Sequence, residues 1–77
     1  MRTQMDPVAI GARLRELRGD LPQAYIAEKA GVTPMAISQY ELGKRIPTDE
    51  VKLRLAQIFG VSVDALFYTQ KVSDTLT

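Results

Sequence analysis

The segment Gln23 to Leu42, QAYIAEKAGVTPMAISQYEL, limits what this chain can become more than any other stretch. Ile26, Ala27 and Ala30 share one face of a short helix beginning at Pro22 or Gln23. Gly31 follows at once, in the position where a left-handed residue commonly ends a helix. Thr33-Pro34 then restarts one, Thr33 as N-cap and Pro34 at the first helical position. This second helix carries Ile37 and Tyr40 inward and ends near Leu42, with Gly43 as its stop. So short a bend makes the two helices touch beside it, and Ala27 permits the approach because its side chain is a single methyl group. Ile26, Val32 and Ile37 fill the wedge. The amino end of the second helix is then a stiff, projecting edge.

The flanks predict three more helices. Ile10, Leu14 and Leu17 form one helical stripe within Val8 to Arg18, with Asp6 as N-cap, Pro7 at the first position and Gly19-Asp20 as the stop. Thr48 caps another helix, whose first turn holds Asp49 and Glu50 where the macrodipole favours acids. Its pattern is mixed: Val51, Leu53 and Leu55 alternate with Lys52 and Arg54 at strand period, whereas Leu55, Ala56, Ile58 and Phe59 restore the helical one. The cap and the acids favour helix. Gly60 ends it, and Ser62 caps a last short helix through Phe67. The expected architecture is a compact all-α domain of five helices over residues 8–68, with an N-terminal arm (1–7) and a polar, mobile tail (69–77).

Seventy-seven residues allow one domain. Without Cys or His there is no disulfide, no thiolate, no imidazole base and no common metal ligand. The acids are scattered and no glycine-rich phosphate loop is present, so neither an enzyme nor a cofactor is expected. No pocket for a small molecule is evident. No apolar run approaches the roughly 20 residues that span a membrane, and Met1 to Asp6 lacks the apolar centre of a secretory signal. A cytoplasmic location is the expectation. A net charge of +1 is neutral evidence on nucleic acid. What matters is whether the basic groups share a face.

The chain resembles the Cro/repressor (XRE-type) helix-turn-helix family from roughly Ile10 to Phe67. The resemblance rests on Gln23, Ala27, Gly31, Ile37 and Tyr40-Glu41, and on the flanking runs Gly43-Lys44-Arg45-Ile46-Pro47 and Phe59-Gly60-Val61-Ser62-Val63-Asp64-Ala65-Leu66-Phe67. It implies a five-helix lambda-repressor-like fold. It also implies a prokaryotic or phage DNA-binding transcription regulator, expected to be a repressor, with residues 34–42 as recognition helix in the major groove. Pro34, Met35, Ser38 and Gln39 would then face base edges. Gln39 can pair with adenine, Met35 can meet a thymine methyl, and Ser38 can reach base or phosphate. Ala36 suits either the core edge or the groove.

Gln23 and Thr33 are candidates for phosphate, Thr33 being a helix cap as well. Lys44 and Arg45 are candidate backbone contacts, with Arg13 and Arg15 as further ones. In the family an Arg ending the first helix pairs with a Glu ending the third, which here implies a structural ion pair between Arg18 and Glu41. Phe59, Val61, Leu66, Phe67 and Tyr68 either close the core or meet a second copy. A two-fold homodimer would suit a palindromic operator of double-stranded DNA. Three features depart from the family pattern: a short link over residues 19–22, Pro22 in place of a Ser or Thr cap, and Leu42 in place of a polar backbone contact. Leu42 and the near-neutral charge leave room for a protein-interaction module, such as the antitoxin of a toxin–antitoxin pair.

Overall fold

In the computed structural model, which describes residues 3–4 and 6–70 (side chains over 6–68), five helices follow one another. They are α1 (Pro7–Arg18), α2 (Gln23–Ala30), α3 (Pro34–Glu41), α4 (Asp49–Phe59) and α5 (Val63–Phe67). Four of the five starts are made by side-chain caps. Asp6 accepts from the Val8 and Ala9 amides, Thr33 from Ala36, Thr48 from Val51 and Ser62 from Ala65. Each such cap stabilises its helix by about 1 kcal/mol. The start of α2 has none, as Pro22 implied. There the Arg18 guanidinium instead donates to the Leu21 carbonyl at 2.8 Å and ties the short link down.

The core gathers Ile10 and Leu14 of α1, Ile26, Ala27 and Ala30 of α2, and Ala36, Ile37 and Tyr40 of α3. Leu55, Ala56, Leu66 and Phe67 complete it from α4 and α5. Phe67 and Ala30 are wholly enclosed. Burying each large aliphatic or aromatic side chain of this set contributes about 1.5–3 kcal/mol. Val32, Val51 and Phe59 pack on its margin.

Two stripes differ from the periodicity reading. Leu17 is exposed, and α1 turns Gly11 inward between Ile10 and Leu14 instead. The reason is α3, whose last turn crosses α1 at Gly11. A Cβ there would stand on the carbonyl oxygens of Tyr40 and Glu41, 2.6 Å from the former. In α4, Leu53 is exposed while Lys52 is buried. The helix is real, so the apolar alternation at Leu53 carries no strand, and Lys52 takes an inward position because its ammonium has partners there. Its Nζ lies 3.5 Å from Asp49, 3.4 Å from the Tyr68 hydroxyl and over the Phe67 and Tyr68 rings.

A two-residue ladder joins the chain ends. β1 (Thr3–Gln4) runs antiparallel to β2 (Thr69–Gln70), pairing Thr3 with Gln70 and Gln4 with Thr69. The expected arm and tail are thus linked at these residues, since each supplies backbone groups that its neighbour satisfies. The rest of the predicted arm and the predicted mobile tail, residues 1, 2, 5 and 71–77, lie outside the described residues.

Candidate nucleic-acid interface

Helix α3 divides along its length. Ala36, Ile37 and Tyr40 are buried, which assigns Ala36 to the core rather than to an outer face. Pro34 and Met35 are exposed at its amino end, Met35 by 69%. Ser38 and Gln39 are half-buried, less open than their expected role would suggest. An exposed methionine beside an exposed proline satisfies no packing need.

The carboxyl end of α3 is held hard. Arg18 grips Glu41 through two parallel hydrogen bonds, Nε to Oε2 at 2.5 Å and Nη2 to Oε1 at 2.9 Å. This is the pair that the resemblance implied, and its fork geometry is the strong one for a carboxylate. Gln23 adds a third bond, its Nε2 donating to Glu41 Oε1 at 3.1 Å. Burial alone would push the Glu41 carboxyl up; the hydrogen bonds from Arg18 and Gln23, with the nearby charges of Arg18 and Arg15, outweigh it and hold the pKa below the ordinary carboxylate value. The hydrogen bond to Glu41 correspondingly raises that of Arg18 against its own desolvation. One carboxylate therefore fastens the ends of α1 and α3 and the start of α2 together.

Gln23 is consequently half committed. One amide hydrogen serves Glu41, and the other has no partner among the described residues. It lines a cleft of about 240 Å³ with Arg15, Arg18, Ser38, Glu41 and Leu42, so the structure brings Gln23, Ser38 and Arg15 to one place. Leu42 is 60% exposed on that rim. Thr33 caps α3 and is also exposed. Lys44 and Arg45 follow in the exposed loop beyond α3. Arg45 Nη1 donates back to Gln39 Oε1 at 3.4 Å, and its guanidinium lies 5.8 Å from the Tyr40 ring centroid.

Other candidates are placed elsewhere. Arg13 donates to the Leu66 carbonyl at 3.3 Å and joins α1 to α5. Leu66 and Phe67 are 1% and 0% exposed, so of the two roles foreseen for them they fill the core and present no surface to a second copy. Phe59, Val61 and Tyr68 remain half-exposed around them. The sequence reading missed Gly11 altogether, although a glycine inside an amphipathic helix is itself a signal of close approach. It also missed the Gln39–Arg45 contact, which carries no signature at a spacing of six. Among the described residues no cluster of acids forms a metal cradle, and no helix is long and apolar enough to cross a membrane.

A helix-turn-helix family model matches residues 12–66. No curated protein sequence matches the chain. Among solved structures, it is similar to the restriction-modification controller protein C.AhdI from Aeromonas hydrophila. That likeness has 33% identity over 80% of this chain and 93% of that one, with a TM-score of 0.72. The P22 c2 repressor, solved in complex with a synthetic operator, is 35% identical over 75% of this chain and 91% of its own, with a TM-score of 0.72. The clp gene regulator ClgR from Corynebacterium glutamicum is 28% identical over 82% of this chain and 69% of that one, at a TM-score of 0.73.

Proposed function

Because this chain belongs to the XRE-type helix-turn-helix family, we propose that it is a transcription regulator that binds double-stranded DNA sequence-specifically, with α3 in the major groove. The observation that carries this reading is the division of α3: its carboxyl end is clamped by Arg18, Gln23 and Gly11 while Pro34 and Met35 stand clear of the globule. A helix so held presents its amino end without further ordering cost. Pro34, Met35, Ser38 and Gln39 read base edges. Thr33, Lys44, Arg45 and the remaining amide hydrogen of Gln23 hold phosphates, which set register without reading sequence. The operator complex of the similar P22 c2 repressor supports this reading.

The chain acts as a homodimer and represses by occupying a palindromic operator, its two α3 helices about 34 Å apart. Phe59, Val61 and Tyr68 supply the apolar part of the dimer contact.

The test is selection of bound sequences from a random duplex pool, followed by titration of variants. Gln39→Ala is expected to cost about 1–3 kcal/mol of binding and to relax preference at one base pair. Unchanged operator affinity removes Gln39 from the reading set. Lys44→Ala is expected to weaken all sequences alike and to lower the slope of log affinity against log salt by about one. A pool from which nothing is enriched overturns the proposal.

A further inference from the structure

We infer that Arg45 is a specificity-determining residue that acts through Gln39, holding the amide so that its N–H edge faces the groove and guanine is preferred to adenine there. The inference rests on the DNA-binding reading above, and goes beyond the phosphate contact given to Arg45 in it.

An arginine side chain carries only donors. The Gln39 atom that faces Arg45 Nη1 at 3.4 Å must therefore be the carbonyl oxygen Oε1, and the amide cannot be the other way round. That fixes a choice which an isolated glutamine makes freely. A free glutamine pairs with adenine by accepting from N6 and donating to N7, using both ends of the amide. One lone pair of Oε1 then serves Arg45, and a base donor such as adenine N6 that seeks the other meets the guanidinium's own donors beside it, while the NH2 group is left free to donate. Guanine offers two acceptors, N7 and O6, on the same edge. The remaining guanidinium hydrogens of Arg45 enlarge this donor surface and can still reach a phosphate.

Two further facts make Arg45 a brace rather than a passing neighbour. Its guanidinium lies over the ring of Tyr40, 5.8 Å from the centroid, and Tyr40 is buried at 2% exposure. The ring that receives the cation is thus immobile. Gln39 is itself half-buried, while its contact with Arg45 stands open to solvent. Groove binding would remove water from this contact and strengthen it.

The experiment uses the full chain in two arms. Free in solution, the Gln39 side-chain NH2 resonances are followed by 15N NMR in the wild type and in Arg45→Ala, with thermal unfolding as the check that both fold. The pair is expected to shift and broaden on loss of Arg45; unchanged resonances overturn the proposal without touching DNA binding. In the second arm, affinities for the selected operator and for each single-base variant are measured for wild type, Gln39→Ala, Arg45→Ala, Arg45→Lys and the double alanine variant. Guanine at the Gln39 pair is expected to be favoured about tenfold in the wild type. Arg45→Ala should lose that preference at the same pair as Gln39→Ala, and the double variant should lose no more. Arg45→Lys should keep the salt slope and lose most of the preference, because an ammonium lacks the planar fork. Uniform weakening with the preference intact, or adenine favoured in the wild type, overturns it. A wild type that enriches no sequence removes the parent reading instead, and this inference falls with it.

Discussion

Two helix pairs, α2–α3 and α4–α5, are joined by the same bend, yet their second helices bury different parts of themselves. Gly31 and Gly60 have nearly the same backbone, φ 76° and ψ 31° against φ 69° and ψ 33°. Val32 returns its N–H to Ala27 at 3.0 Å, as Val61 does to Ala56. Thr33 and Ser62 then cap, receiving Ala36 and Ala65 at 3.1 and 3.0 Å. Four residues after each cap an aliphatic is buried, Ile37 in one and Leu66 in the other. The pairs part at the next position, where Ser38 stays half-open and Phe67 is sealed. One residue further Gln39 and Tyr68 are both half-exposed, but Tyr68 receives the Lys52 ammonium. Identical turn chemistry thus leads to a half-open polar face in one place and a sealed aromatic ring in the other. What decides is the side chain five residues past the cap, together with the Glu41 clamp on α3.

Four substitutions sharpen that comparison. The largest effect is expected at the clamp. Gly11→Ala should destabilise the fold by about 3 kcal/mol or more, because the new methyl meets backbone carbonyls that cannot move without lifting α3 from α1. This outweighs the gain of about 1 kcal/mol from helix propensity. Chemical denaturation measures it, and a stability equal to wild type would show that α1 does not seat α3.

Next is Glu41→Gln, expected to cost about 3 kcal/mol at neutral pH by leaving the largely buried Arg18 without its counter-charge. Its pH dependence has a defined sign. The native Glu41 pKa lies below its ordinary value of 4.5, so its contribution is complete above about pH 5. It is lost as pH falls through 4.5 and then through the lower native value. Denaturation curves between pH 6 and pH 3, to the nearest unit, should therefore converge for wild type and variant. Parallel curves would mean the carboxylate is not what fastens α3.

The smallest effect compares the bends themselves. Gly60→Ala should cost about 1 kcal/mol for placing a Cβ at positive φ, since nothing lies within 4 Å of it. Gly31→Ala meets Arg54 Nη1 at 2.5 Å as well. It must push that guanidinium off the Ala30 carbonyl, 3.3 Å away, adding about 1 kcal/mol. Equal losses at the two glycines would show that Arg54 plays no part in closing the first bend.

Much of this was legible in residue order. The caps, the stops and the inward Ile26, Ala27, Ile37 and Tyr40 stood where local chemistry put them, because each depends on neighbours within four residues. The Arg18–Glu41 pair was legible through resemblance. Leu17 and Lys52 were not: which face of a helix is inner depends on the angle of a distant neighbour, and periodicity counts apolar residues without seeing it. Leu66 and Phe67 illustrate the same limit, since an apolar pair at a surface and one in a core have the same spelling. So does the β1–β2 ladder, two residues wide at opposite ends of the chain.

By itself, then, the amino-acid order determined where helices begin, bend and stop, for caps and left-handed glycines act over one turn and need no partner from afar. Only the tertiary structure decided that Gly11 sits under α3, that one carboxylate gathers three helices, and that Arg45 lies against Gln39. The first two are set by how close two helices can come and the third by how the loop after α3 turns back on it, and no local pattern encodes either.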